Sequence, residues 1–354
     1  MRAKVFTSGL ILTLLSCPAS AIGQFEKFYN PPGTRANSMS GAFTAAANDA
    51  SSLWYNPAGL GNRYGANGDL TIDYGQELVY DTNLALAVNE DRKYKYIGFM
   101  GKGANRSSGA MHFGLAYYQP ATFAVSNNFG SGTERVDLEY ELYTLGIGGG
   151  NEVISWGYTI GMAYVNTKFN SAGSSEDYDS ELTISGGLIL HMIRNPKFKL
   201  NGGINWFSGA DWSFLDYDSS HDTKLSEVVP AIPKRLSYGI NAQFTLPRGL
   251  IHVNYDLVEW STNSDWDSLQ TPGTDRQNFG LEAIVPVRNG MMVSIRYGRG
   301  TAEETTGSGD TQESSSIGFG IGFLNQHFID YASETRKLNS NDFKITSLSY
   351  SYQF

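Results

Sequence analysis

The stretch "WGYTIGMAY", residues 156–164, alternates large apolar side chains with small ones. A period of two places these two sets on opposite faces of an extended strand. The same alternation recurs in "LSYGINAQF" (236–244), "IHVNYDL" (251–257) and "IGFGIGF" (317–323). The pattern predicts a sheet with one apolar face, which is typical both of a soluble sandwich and of a membrane barrel.

The lengths of the connections favour the barrel. We predict fourteen strands, near residues 68–78, 93–102, 109–119, 135–147, 155–168, 180–191, 197–208, 234–245, 250–260, 276–286, 290–299, 314–323, 326–334 and 343–354. The links after even-numbered strands are mostly tight, whereas those after odd-numbered strands are long and polar, up to Gly209–Pro233. Short turns at one rim and long loops at the other indicate an outer-membrane barrel with periplasmic turns.

The chain ends on an aromatic strand. Leu348, Tyr350, Tyr352 and the last residue, Phe354, share one face. This arrangement resembles the C-terminal signal that the barrel-assembly machinery recognises in bacterial outer-membrane proteins. The sequence therefore predicts an all-β fold, a 14-stranded antiparallel transmembrane β-barrel over residues 67–354, in the outer membrane of a Gram-negative-type bacterium.

The first residues predict export. Arg2 and Lys4 precede an apolar run that is too short to span a bilayer, and a small-x-small site follows at Ala19–Ala21. These features predict a signal peptide over residues 1–21 that is removed from the mature protein. Lipoprotein processing at Cys17 is the alternative, and it also exports the chain.

Composition excludes several classes of function. Cys17 is the single cysteine, so cleavage after Ala21 leaves neither a disulfide nor a thiolate site. The net charge of -9 argues against a nucleic-acid partner. We predict no cofactor, no metal site and no enzymatic activity. Glycine (40 residues), tyrosine (21) and phenylalanine (19) are abundant, as in barrels whose apolar residues alternate.

Residues 22–66 fit no alternating pattern and are predicted to be a plug of short helices and turns, the hatch, inside the lumen. Fourteen strands enclose more space than their own side chains fill. A disordered tail is the alternative, but the composition of residues 22–66 is too apolar for a segment that stays in solvent. The large apolar side chains of this region include Phe25, Phe28, Tyr29, Phe43, Trp54 and Tyr55.

Two motifs resemble the FadL-type superfamily of transporters for long-chain fatty acids and other hydrophobic compounds. The stretch "GTRANSMSGAFTAAANDASSLWYNPAGL" (33–60) looks like its hatch signature, and "VVPAIPKRLSYGINAQF" (228–244) with "DLVEW" (256–260) is similar to its later strands. The matching positions are Gly33, Arg35, Gly41, Ala42, Asp49, Ala50, Asn56, Pro57, Ala58, Pro230, Pro233, Gly239, Asp256 and Trp260.

The resemblance implies uptake of hydrophobic small molecules such as fatty acids. Outer loops would capture the ligand, a pocket against the hatch would hold it, and a lateral gap in the wall would release it to the bilayer. The implied partners are the ligand, outer-membrane lipid and lipopolysaccharide, and the protein would act as a monomer. The candidate ligand-binding residues are Phe25, Phe28, Tyr29, Phe43, Trp54, Tyr55, Asn56, Pro57, Ala58, Trp212, Phe214, Leu215 and Tyr217.

Other functions remain open at this point. The superfamily also contains PorV-like barrels that act in protein secretion to the cell surface, and the hatch motif suits either branch. A diffusion porin would leave the hatch without a role. An outer-membrane lipase would need a catalytic triad, and only Ser219, Ser220, His221 and Asp222 place its ingredients close together. Lys199, Arg235 and Arg296 are candidate partners of a carboxylate head group or ordinary lining of the lumen.

Overall fold

The structure, a computed structural model, describes residues 31–62, 68–79, 92–106, 109–120, 122–129, 132–169, 176–210, 212, 217–218, 223–224, 231–261, 274–287, 290–304, 311–338 and 341–354. The predicted signal peptide, Phe25, Phe28 and Tyr29 lie outside these residues. Within them, no helix is long and apolar enough to cross a membrane.

Fourteen antiparallel strands form a closed barrel, as predicted. They are β1 (Gly68–Val79), β2 (Arg92–Arg106), β3 (Gly109–Gln119), β5 (Gly132–Gly150), β6 (Ile154–Phe169), β7 (Glu176–Arg194), β8 (Phe198–Phe207), β11 (Lys234–Leu246), β12 (Gly249–Ser261), β13 (Thr274–Pro286), β14 (Met292–Glu304), β15 (Thr311–Phe323), β16 (His327–Leu338) and β17 (Asn341–Gln353). Each strand pairs with its neighbours in chain order, β1 also pairs with β17, and β3 pairs with β5. Every predicted strand corresponds to one of these.

Three strands of the described chain lie in segments that were predicted as loops. β4 (Thr122–Phe129) forms a hairpin with the first half of β5, from Thr122 opposite Glu139 to Phe129 opposite Gly132. β3 pairs only with the second half of β5, from Tyr118 opposite Leu142 onward. The wall partner of β5 therefore changes near Gln119. Two further strands, β9 (Tyr217–Asp218) and β10 (Thr223–Lys224), form a small separate hairpin.

The two faces of the barrel wall differ as the alternation predicts. In β15 the outward side chains of Ile317 and Phe319 are 62% and 55% exposed, whereas the inward Ser314 and Ser316 are buried. A lipid-facing surface needs apolar side chains on that side alone, because the strands satisfy one another's backbone groups. The lumen consequently carries polar side chains and glycines.

The connections place the short turns together at one end, called the short-turn rim below. Residues 195–197, 247–248, 287–291 and 324–326 link successive strands there. Leu324 and Asn325 both have positive φ angles, 57° and 54°, as a tight hairpin turn requires. The opposite end, the long-loop rim, carries the longer connections.

Residues 31–62, called the hatch segment below, lie inside the barrel and are mostly buried. Two four-residue helices, Thr34–Asn37 and Ser52–Tyr55, and a 3₁₀ helix, Pro57–Gly61, make up its regular structure. Asn56 caps the last of these, because its Oδ1 accepts a hydrogen bond from the Ala58 amide at 3.1 Å and Pro57 occupies the first position. The Asn-Pro-Ala-Gly sequence thus sets a turn that fits inside the lumen.

Candidate functional site

Three aspartates of the wall hold the backbone of the hatch segment. Asp256 on β12 accepts hydrogen bonds from the amides of Phe43 and Thr44, both at 2.7 Å. On β1, Asp73 accepts the amide of Gly33 at 2.7 Å, and Asp69 accepts that of Ala50 at 2.7 Å. All three carboxylates are buried. Hydrogen bonds to a charged acceptor are stronger than neutral ones, and these satisfy amides that no helix or strand pairs.

Inward glycines let the hatch segment approach the wall closely. A Cβ at Gly203 would lie 2.7 Å from the carbonyl oxygen of Thr44, and one at Gly239 would lie 2.9 Å from the amide nitrogen of Ala45. Glycine in a strand interior often marks such a backbone approach. The inward glycines that touch the hatch segment in this way are Gly114, Gly146, Gly148, Gly150, Gly157, Gly187, Gly203, Gly239, Gly280, Gly298 and Gly318.

A buried ion network lies on the short-turn side of the hatch segment. Arg35 donates to both carboxylate oxygens of Glu282, at 2.9 and 2.7 Å, and Arg296 donates to Glu282 at 2.7 Å and to Asp330 at 2.6 Å. Burial lowers the pKa of the Arg35 guanidinium, but Glu282 and Asp49 outweigh it and raise that pKa above its usual value. The bidentate contact fixes the hatch segment to β13.

A polar cavity of about 410 Å³ lies between this network and the short-turn rim, and it is called the lower chamber below. On β8, β12 and β15 its lining is nearer the short turns than the residue that touches the hatch segment. On β8, for example, Lys199 and Asn201 line the chamber and Gly203 touches the hatch. Arg35 and Asn48 close the chamber from above.

An aromatic cluster lies on the long-loop side. Trp54 packs against Tyr118 and Phe207, with ring centroids 5.2 and 5.3 Å away, and the Arg235 guanidinium lies 4.5 Å from the Trp54 ring. Phe43 and Tyr55 make an edge-to-face pair at 5.5 Å. The structure therefore brings together three of the predicted binding residues, Phe43, Trp54 and Tyr55, in one buried cluster.

The other predicted residues are placed differently. Asn56, Pro57 and Ala58 bear on the wall, where Asn56 meets Gly187 and Pro57 meets Gly157. Trp212, a candidate capture residue of the long loop, is buried: its ring centroid lies 5.9 Å from that of Tyr140, and its amide donates to Glu181 at 3.0 Å. Phe214 and Leu215 lie outside the described residues, and for Tyr217 the structure describes only the backbone, which lies in β9.

The cavity beside the aromatic cluster is small. About 40 Å³ remains between Trp54 and Tyr55 of the hatch segment and Arg235, Trp260 and Arg336 of the wall. This space holds no more than a water or two. Around Trp54 and Tyr55, the described side chains therefore pack closely.

The outer wall carries an apolar depression of about 680 Å³ across β2, β3, β5, β6 and β7. Its sides are lipid-facing residues such as Leu115, Leu145 and Ile160. Its floor includes Ala116, which also packs against the interior cluster of Leu53, Leu60 and Met100. At Ala116 a small side chain thus separates the lipid side from the interior.

Sequence reasoning missed the wall residues that seat the hatch. The signal was present as an inward glycine or acidic residue on most strands, such as Gly203 on β8 and Asp256 on β12. Comparisons with family models and with curated proteins find no match.

Solved structures do match. CymD, a monoaromatic hydrocarbon channel, superposes with a TM-score of 0.62 at 12% identity, over 91% of this chain and 97% of that one. A FadL homologue of Pseudomonas aeruginosa gives 0.58 at 12% identity, over 92% and 99%. The chain has the FadL-type fold. The Ralstonia pickettii toluene transporter TbuX agrees, at 0.56 and 12% identity, over 91% and 98%.

Proposed function

We propose that this protein is an outer-membrane transporter of hydrophobic small molecules, such as long-chain fatty acids, that receives its ligand in the aromatic cluster above the hatch segment. The observation that carries the proposal is the buried cluster of Trp54, Tyr118, Phe207 and Trp260 above a segment that blocks the bore. An apolar molecule gains about 0.8 kcal/mol per buried CH₂ on leaving water. The solved structures with this fold include hydrocarbon and toluene transporters, which supports the same ligand class.

The ligand needs room that the small cavity lacks, so its entry displaces aromatic side chains. Trp212 is one candidate, because it belongs to the same buried cluster as Trp54 and comes from the long connection after β8. Phe25, Phe28, Tyr29, Phe214, Leu215 and Tyr217 remain proposed contacts of the ligand. Asn56, Pro57 and Ala58 support it indirectly, by fixing the helix that carries Trp54.

The proposed exit is sideways through the wall. A path straight down would take an apolar molecule past Arg35, Glu282 and Arg296 and into a polar chamber. Its apolar surface would be exposed to water there, which is unfavourable. The depression around Ala116 offers an apolar alternative, and the change of partner along β5 lies on the same side of the barrel. A lateral exit delivers the ligand to the bilayer without rehydration.

The test uses the protein reconstituted in liposomes. A fluorescent fatty acid should equilibrate faster than in empty liposomes, while small sugars cause little osmotic swelling because the hatch blocks the bore. Leu145→Trp, which fills the depression, should slow the fatty acid severalfold. Ile295→Trp places the same side chain on a lipid-facing site away from the depression and should leave uptake unchanged.

Two outcomes would overturn the proposal. Rapid, size-limited sugar swelling would indicate a diffusion porin. A surface protein that co-purifies in fixed ratio, without any acyl chain detected by native mass spectrometry, would indicate the secretion branch instead. Equal slowing by both tryptophan variants would contradict only the lateral exit.

A further inference from the structure

The outward face of β5 changes from apolar to acidic at Glu141. Leu145 and Tyr143 face outward and are 56% and 47% exposed. Glu141 and Glu139 lie on the same face, because alternate residues of a strand share a face. β5 ends at the short link of residues 151–153, so its acidic part lies toward the long-loop rim. Glu141 is therefore the outward residue at which the apolar band of β5 ends on that side.

Two tyrosine hydroxyl groups hold the Glu141 carboxylate in place. Tyr117 donates to its Oε1 at 2.8 Å, and Tyr143 donates to its Oε2 at 3.2 Å. A carboxylate can accept about four hydrogen bonds, so each oxygen can still accept another. Among the residues that the structure describes, Glu141 forms no ion pair. A fixed, half-buried carboxylate without a cation on this surface suits a cationic partner.

Three tyrosine rings lie beside this carboxylate on three adjacent strands. The ring centroid of Tyr143 on β5 is 5.1 Å from that of Tyr117 on β3 and 5.6 Å from that of Tyr164 on β6. Tyr164 is directly opposite Glu141 in the pairing of β5 with β6. The three rings and Glu141 are called the tyrosine cage below. Aromatic faces attract ammonium groups, and the carboxylate adds an opposite charge.

The tyrosine cage adjoins the apolar depression of the outer wall. Tyr117 and Tyr143 line that depression as well, and it continues toward the short-turn rim along Leu115 and Leu145. Its volume of about 680 Å³ is in the range of small-molecule sites. A charged end toward the long loops and an apolar end toward the middle of the wall follow the order of headgroup and acyl chain in a bilayer.

We propose that the tyrosine cage and the adjoining depression bind a membrane lipid that carries an ammonium headgroup. The ammonium group contacts Glu141 and the tyrosine rings, and an acyl chain lies along Leu115, Leu145 and Ile160. Charge complementarity favours this headgroup over one that carries only a phosphate or a sugar. The lipid reaches the site from the bilayer without entering the lumen. The site shares the depression with the proposed exit, but it does not depend on transport.

Native mass spectrometry of the barrel in a neutral detergent tests the headgroup preference. Dilauroyl phosphatidylethanolamine and dilauroyl phosphatidylglycerol have the same acyl chains, and only the first carries an ammonium group. The barrel should retain one molecule of the ethanolamine lipid more tightly than the glycerol lipid. Dodecyltrimethylammonium, which carries the charge without a phosphate, should displace the ethanolamine lipid, whereas dodecyl sulfate should not.

A matched pair of glutamate variants tests the contact itself. Glu141→Gln should weaken retention of the ethanolamine lipid about tenfold, because it removes the charge that the ammonium group contacts. Glu259→Gln removes the same charge from an exposed outward position on β12, outside the depression, and should leave retention unchanged. Leu145→Trp, which fills the depression, should weaken retention of both lipids. Only variants that keep the heat-dependent gel migration of a folded barrel are compared.

Three results would overturn the proposal. These are equal retention of the two lipids, equal loss in the two glutamate variants, and binding of dodecyltrimethylammonium by a barrel that retains neither lipid. The last of these would assign the cage to a soluble amphiphile instead of a membrane lipid. Fatty-acid uptake is measured on Glu141→Gln in parallel, so failure of this site and failure of transport are distinguished.

Discussion

The two sides of the hatch segment are stabilised by different physics. Toward the long-loop rim, Trp54 is packed among aromatic rings and fills space. Toward the short-turn rim, Arg35 is held by Glu282 beside a polar cavity. Under the proposed function, the aromatic side would accept an apolar ligand, because dispersion and burial are non-directional. The ionic side is directional and fixes one position, so it resists motion of the hatch.

The difference indicates that the two sides of this short segment have different roles. Under the proposed function, the aromatic side would rearrange around the ligand, while the ionic side keeps its register with β13. A hatch held only by aromatic packing would slide, and one held only by ion pairs would offer no apolar surface. The predictions that follow compare these two sides.

The largest effect is expected at Glu282, which contacts both arginines of the ion network. Glu282→Ala should lower the free energy of unfolding by about 4 kcal/mol, because two buried guanidiniums lose their shared carboxylate. Denaturant unfolding in detergent measures it. Glu313→Ala removes an exposed carboxylate 4.0 Å from Arg299 and should cost less than about 1 kcal/mol. Equal midpoints for the two variants would contradict the anchoring role.

The aromatic side should respond somewhat less. Trp54→Ala should destabilise the hatch segment by about 3 kcal/mol, since the neighbouring small cavity lets side chains relax into the space. Faster amide exchange in residues 52–62, with the barrel strands unchanged, is the expected result. Trp206→Ala removes a lipid-facing indole from β8 and should leave exchange in the hatch segment unaltered. Global loss of protection would mean that the cluster stabilises the barrel as a whole.

Much of the barrel follows from local pattern. Strands such as residues 317–323 alternate because lipid and lumen impose opposite demands on successive side chains, and all fourteen predicted strands are present. β4 was missed because its sequence, "TFAVSNNF", has too few alternating apolar residues and its partner is the extended part of β5. Whether β4 forms depends on its pairing with β5, and the sequence of β4 alone does not reveal that pairing.

The site was only partly predictable. Phe43, Trp54 and Tyr55 are apolar residues in a non-strand segment, so their burial together could be expected. Trp212 could not be placed, because its φ of 51° turns it inward by a backbone conformation that a bulky residue rarely adopts. Asp256 lies in a strand where polar inward residues are normal. Its function depends on which hatch amides arrive opposite it.

Replacing an inward glycine that contacts the hatch segment should destabilise that segment to an intermediate extent. Gly203→Ala places a methyl group 2.7 Å from the Thr44 carbonyl oxygen and should destabilise the hatch segment by about 2 kcal/mol. Amide exchange at residues 43–46 measures it. Gly202→Ala, its outward neighbour, meets only the flexible end of Met192 at 3.2 Å and is the control. Equal effects would show that strand propensity, and not backbone contact, explains the glycine.

The smallest effect is expected at Asp256, whose carboxylate lies between the two sides and holds the amides of Phe43 and Thr44. Asp256→Asn keeps an acceptor oxygen but removes the charge, so the loss should be about 1 kcal/mol. Exchange should accelerate at these two amides alone, and Asp275→Asn, an exposed site on β13, should change nothing. If Asp256→Asn freed residues 33–37 as well, the hatch segment would move as one unit. In that case the aromatic side could not rearrange while Arg35 stays on Glu282, and ligand entry would require the whole hatch to shift.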